Sequence, residues 1–159
     1  LIEGVILRKL VIHQDPTGIL VETLRTDWFD VLNKDLPFAM QYMSITPSGI
    51  ARDEDKWHMH KNQEDRFVCV SGRIVTVLYD KRDTKTKDQL NLFVIGPQIE
   101  EEMYLVVIPK DVYHGFMVIS QSPGILLNFP TQLYNPQDEG RVENTQFKWQ
   151  SVREDFNLG

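Results

Sequence analysis

The chain has 159 residues, 42% of them apolar and 25% charged, enough to bury one hydrophobic core and typical of a globular protein. With 17 Lys and Arg against 23 Asp and Glu the net charge is −6, which excludes a general nucleic-acid binder, because neutralising phosphates takes a basic face. The lone cysteine, Cys69, rules out an intrachain disulfide and a four-thiolate zinc site, and within the alternating run FVCVSG it reads as a buried thiol.

The opening segment LIEGVILRKLVIHQD lacks the apolar stretch of a signal peptide. Nothing later reaches the ~20 apolar residues of a membrane helix. A cytoplasmic location without membrane contact is the expectation. VILRKLVIH (5–13) reads as a strand ending at the turn Asp15-Pro16-Thr17-Gly18, with ILVETLR following it. DWFDVLNKD near 27–35 is a short helix candidate. MQYMSIT (40–46) stops at Pro47-Ser48-Gly49. RFVCV (66–70) meets Ser71-Gly72 and restarts as RIVTVLYD (73–80), which reads as a hairpin. LNLFVI (90–95) ends at Gly96-Pro97, MYLVVI (103–108) at Pro109 and FMVIS (116–120) at Gln121-Ser122-Pro123-Gly124. ILLNF (125–129) comes next, and a second short helix is predicted near 150–156. Many short Val- and Ile-rich strands without alternating helices predict an all-β sandwich or barrel, formed as a single domain over 1–159.

Residues 56–74, KWHMHKNQEDRFVCVSGRI, hold the densest chemistry. His58 and His60 lie two apart, so in a strand they share a face. Glu64 follows the turn Lys61-Asn62-Gln63 and can return toward them. His114, in IPKDVYHGF, lies far along the chain but can meet them across a barrel interior. Three imidazoles and one carboxylate suit a divalent metal, Zn, Fe, Mn, Ni or Co, and His58, His60, Glu64 and His114 are the expected ligands. No organic cofactor motif is present. Asp53-Glu54-Asp55 reads as a solvated acidic loop.

The spacing H-x-H-x3-E, Gly72, then Pro109-x-Asp111-x2-His114 resembles the two motifs of the cupin superfamily, with Asp111 in place of a glycine. That resemblance implies a cupin jelly-roll barrel with short peripheral helices. Over roughly residues 4 to 140 the chain further resembles the dTDP-4-dehydrorhamnose 3,5-epimerase family. The carrying stretches are Asp15 to Glu22 with Arg25, Gln41-Tyr42-Met43-Ser44, Gly49-Ile50-Ala51-Arg52, Asp80 to Thr86, Ile108 to Phe116, and Tyr134-Asn135-Pro136 with Glu139.

This second resemblance implies an epimerase or isomerase that acts on a nucleotide-linked 4-keto sugar through an enolate, working as a homodimer. It places the base on His58 and an enolate-stabilising cation on Arg66, with His114 in the same catalytic group. Substrate contacts fall on Glu22, Gln41, Arg52 and Tyr134, with Glu22 reaching a partner subunit's site. Asn128 stands where the family has its proton-donating tyrosine. The metal-ligand pattern leaves open a metal-dependent cupin oxygenase or isomerase of a small carbonyl compound. The missing tyrosine leaves open a sugar-binding cupin without catalysis.

Overall fold

A computed structural model describes residues 1–158. One antiparallel sheet carries, in spatial order, β1 (Ile6–Lys9), β9 (Tyr104–Ile108), β6 (Asp65–Ser71), β11 (Gly124–Asn128) and β4 (Tyr42–Thr46). The second carries β12 (Glu139–Glu143), β5 (Lys56–His60), β10 (Val112–Val118), β7 (Ile74–Asp80) and β8 (Leu90–Ile95). A small hairpin, β2 (Ile12–Asp15) and β3 (Gly18–Val21), stands apart from both.

Alternation along each strand builds three apolar layers. Phe67, Cys69, Val106 and Leu126 from the first sheet meet Ile74, Leu78, Phe116 and Val118 from the second, forming the core between the inner faces. The outer face of the first sheet, through Val68, Leu105 and Val107, is covered by Leu10, Val31, Trp28 and Leu36. Helix α1 (Trp149–Asp155) covers the outer face of the second sheet, where Trp149 and Val152 pack on Val75, Val77, Tyr79 and Met117. The two inner faces form the expected jelly roll. Cys69 is buried and free, and burial pushes its thiol up to about 12. No helix among the described residues is long and apolar enough to cross a membrane.

Local readings change at four places, the first being VILRKLVIH (5–13), which divides at Leu10 and Val11 into β1 and β2 in different sheets. β6 and β7 do not form a hairpin but belong to opposite sheets, so the link at Gly72 crosses the barrel. Gly72 has φ +76, and a Cβ there would come within 2.6 Å of Ser120 Oγ and 3.0 Å of the Pro123 carbonyl, so only glycine fits the crossing. Residues 27–35 form turns and bends in place of a helix. Val31 and Leu32 both donate to the Trp28 carbonyl, a single turn that does not propagate, and the carbonyls of Val31 and Leu36 accept from Arg66 instead. The strand β12 has no counterpart in the sequence reading. It forms along the edge of β5, in register from Glu139 opposite His60 to Glu143 opposite Lys56.

Candidate active site

Between the sheets lies a cavity of about 460 Å³, a size suited to a small-molecule ligand. The second sheet supplies one wall. Arg141, His58 and His114 are register neighbours on β12, β5 and β10, and His60 lies two residues further along β5. The first sheet supplies the opposite wall, with Asp65 and Phe67 from β6 and Tyr42 from β4. The three histidines come together, but as neighbours on adjacent strands of one sheet and not across the barrel interior as expected: the His114 ring lies 6.2 Å from that of His58 and 6.0 Å from that of His60.

The carboxylate that joins them is Asp65, not Glu64. Asp65 shares strand parity with the inward Phe67 and Cys69, whereas Glu64 has the opposite parity and does not line the cavity. Glu64 is tied through its backbone N–H to Thr131 Oγ1. The same one-residue offset displaces Arg66. Its side chain is fully buried on the outer face of β6, donating to the carbonyls of Phe129, Val31, Leu36 and Pro37, and it cannot reach a ligand in the cavity.

Asp65 is 2% exposed and held on both oxygens. Oδ1 accepts from Gln63 Nε2 at 2.7 Å and Asn128 Nδ2 at 2.8 Å. Oδ2 faces His114 Nε2 at 3.3 Å and His60 Nε2 at 3.6 Å. Burial opposes its ionisation, but His114, His60 and Asn128 outweigh that and hold its carboxyl at about 2.

His114 Nδ1 lies 3.1 Å from the Val112 carbonyl, which can only accept, so Nδ1 carries a hydrogen. In a neutral ring Nε2 would then aim a lone pair at an ionised carboxylate. A proton or a cation between His114 and Asp65 removes that conflict. His60, Asp65 and His114 form a group whose ligand atoms lie within 4.8 Å of one another. Ligands at about 2.0–2.1 Å from a tetrahedral ion sit about 3.3 Å apart, so the donor set fits a divalent metal. This candidate donor group holds Asp65 where Glu64 was expected and leaves out His58.

His58 has a separate partner. Its Nε2 is 2.7 Å from Asp53 Oδ2, and because an ionised carboxylate only accepts, Nε2 holds the hydrogen and Nδ1 the lone pair. Burial, then the neighbouring His114, lower its pKa against the pull of Asp53. Asp53 belongs to the run read as a solvated loop, and its carboxyl is itself held low: His58, Arg141 and Arg52 outweigh the opposing effect of burial.

Of the residues expected to bind substrate, Arg52 and Tyr134 line the cavity. Glu22 and Gln41 do not, and Glu22 is bound by Arg25 at 2.7 Å on the surface. Arg141, Tyr42 and Asp65 line the cavity without having been assigned a role from sequence. The inward parity of Phe67 and Cys69 was a usable signal for Asp65. Arg141 had none, because β12 takes its form from β5.

Residues 1–153 match the sequence profile of the dTDP-4-dehydrorhamnose 3,5-epimerase family. The chain is 40% identical over 139 residues to a probable low-salt glycan biosynthesis epimerase, Agl13, of Haloferax volcanii, with 86% of this chain and 83% of that protein covered. The fold matches a dTDP sugar isomerase from Desulfovibrio desulfuricans with a TM-score of 0.81 at 23% identity, covering 93% of this chain and 92% of the other. It also matches a dTDP-6-deoxy-D-glucose-3,5-epimerase from Legionella pneumophila, solved with dTDP-4-keto-L-rhamnose, with a TM-score of 0.76 at 21% identity, covering 91% and 75%. The chain belongs to the dTDP-4-dehydrorhamnose 3,5-epimerase family of sugar epimerases.

Proposed function

We propose that the protein inverts a carbon next to the carbonyl of a nucleotide-linked 4-keto sugar, through an enolate. The observation that carries this reading is the 2.7 Å contact of His58 Nε2 with Asp53 Oδ2, which sets the tautomer of the neutral ring. With Nε2 committed to Asp53, Nδ1 is the unprotonated nitrogen of a ring lining the cavity, as a base requires. A proton leaves such a carbon readily only if the developing oxyanion is stabilised. Arg66 is turned away from the cavity, so that stabilisation falls to the cavity-lining His60, while His114 is held between the Val112 carbonyl and Asp65. Arg52 and Arg141 offer paired cationic forks for the diphosphate. Tyr134, 67% exposed, offers its ring to the nucleobase.

His60, Asp65 and His114 would hold a divalent ion if one is recruited, and the facing nitrogens and carboxylate favour that. Such an ion would polarise the sugar carbonyl as a Lewis acid. Elemental analysis of the purified protein tests this. Near-stoichiometric metal lost in the Asp65→Asn variant supports the site, and metal-free protein of full activity contradicts it.

Glu22 and Gln41 fit a homodimer, in which Glu22 reaches the second copy's cavity. The exposed apolar residues Ile19, Leu20, Met43 and Ile45 on β3 and β4 give that copy a face to cover. A single buried cysteine suits the reducing cytoplasm. The reaction itself is tested by incubating the protein with a dTDP-4-keto-6-deoxyhexose and resolving the sugar epimers by NMR. Appearance of a new epimer supports the reading, and an unchanged sugar overturns it.

A further inference from the structure

Inversion needs an acid on the face opposite the base, and the position to which the family resemblance assigns that acid holds Asn128. We propose that Tyr42, one strand over, is the acid that returns the proton. This rests on the epimerase reading given above.

Tyr42 on β4 is the register partner of Asn128 on β11, so the two side chains stand directly opposite each other. The Asn128 amide has one possible orientation. Its Oδ1 accepts the Arg66 backbone N–H at 2.9 Å, so Nδ2 faces the Asp65 carboxylate at 2.8 Å and the Tyr42 phenol at 2.8 Å. Both Nδ2 hydrogens are thus committed, one to the carboxylate and one to the phenol oxygen. The phenol accepts in this contact, so its own hydrogen points elsewhere. Among the described residues no acceptor takes it. Tyr42 lines the cavity, and the open direction for that hydrogen is the ligand space.

The two walls separate the two steps. His58 belongs to the sheet containing β5, and Tyr42 to the sheet containing β4. A sugar ring between them loses a proton from one face and regains one from the other, which is inversion. His58 Nδ1 takes the C–H proton, leaving the enolate. The Tyr42 O–H protonates the carbon from the opposite side and becomes phenolate, stabilised by the N–H of Asn128. Water then reprotonates the phenolate and accepts the proton from the His58 imidazolium, restoring both groups. Burial first, and then Asp65, raise the Tyr42 pKa, so the phenol holds its proton until the enolate needs it.

The test follows a dTDP-4-keto-6-deoxyhexose in deuterated water with wild type, Tyr42→Phe and Tyr134→Phe, measuring deuterium exchange and inversion separately. Tyr42→Phe should still bind dTDP and still exchange deuterium with the original configuration retained, while inversion falls at least about a hundredfold. Tyr134→Phe should leave the ratio of inversion to exchange at the wild-type value. Inversion at the wild-type rate in Tyr42→Phe overturns the assignment. So does an equal loss of exchange and inversion there, which would make the phenol an enolate stabiliser, or a fall in the ratio confined to Tyr134→Phe. Absence of both exchange and inversion in the wild type, by contrast, overturns the epimerase reading itself.

Discussion

Asp65 and Arg66 are adjacent on β6, both buried and both charged, and they meet different surroundings. Asp65 faces groups that can change: two imidazoles, and an amide that links it to a phenol. Arg66 faces four backbone carbonyls that cannot. A buried charge surrounded by titratable side chains and open space is equipped for proton transfer. A buried charge whose hydrogen bonds all end on backbone holds segments of chain in place. Here Arg66 ties residues 31–37 and Phe129 to the outer face of the sheet. The residue type alone does not distinguish the two roles, but the side of the strand does.

The sharpest break of this contrast lies on the cavity side. His58→Asn should lower turnover at least about a hundredfold while the urea midpoint stays near wild type, because a partly exposed ring at the cavity wall contributes little to the core. A large loss of stability with retained turnover would reverse the assignment of His58.

On the other side of β6, Arg66→Lys should cost about 3 kcal/mol in urea denaturation. One ammonium cannot satisfy carbonyls spread around a planar guanidinium, and each orphaned acceptor is expensive. Turnover per folded molecule should not change.

A smaller effect tests whether a dense hydrogen-bond network by itself marks chemistry. Asp80, fully buried at the end of β7, accepts from Arg82, Thr84 and Thr86, and these hold its carboxyl well below the usual range against the opposing effect of burial. It does not line the cavity. Because the folded pKa is depressed, its stabilisation is complete above the unfolded value of about 3.9 and is lost as pH falls below it. Asp80→Asn should therefore cost about 2 kcal/mol at pH 7, with the gap from wild type narrowing below about pH 4 and turnover unaffected. A pH-independent gap would contradict the ionised network.

The smallest expected change is a gain. Asp111 has φ +59, in the left-handed region that favours glycine, and it stands where the cupin motif has one. Asp111→Gly should raise stability by about 0.5–1 kcal/mol in the same urea assay.

Most strands were legible because Pro and Gly end them where a ladder must stop, and LNLFVI matches β8 residue for residue, whereas the break between β1 and β2 has no such punctuation and β12 no such pattern. The shared face of His58 and His60 was legible because period-two parity survives within a strand, whereas the place of His114 beside them depends on the pairing of β10 with β5. Parity does not survive a turn of unknown length, which is why Glu64 was expected where Asp65 stands; Arg66 was expected in the cavity from the family resemblance, and the register of β6 turns it outward. The turn 61–63 is set by Asp138, whose carboxylate accepts the backbone N–H groups of Lys61, Asn62 and Gln63 from far along the chain. The Gly72 link failed for a related reason. A glycine turn looks the same locally whether its strands pair or cross between sheets. Asp53 looked like part of a solvated run because its partner His58 is identified only by the fold.

The most direct test compares the two faces of β6 in one assay: deuterium incorporation into a dTDP-4-keto-6-deoxyhexose, normalised to folded protein, for wild type, Asp65→Asn and Arg66→Lys. If the chemistry lies on the Asp65 side, wild type and Arg66→Lys should incorporate deuterium next to the carbonyl at the same rate, and Asp65→Asn at least about a hundredfold more slowly. Full incorporation by Asp65→Asn with loss in Arg66→Lys would contradict the account, as would a wild-type protein that incorporates none.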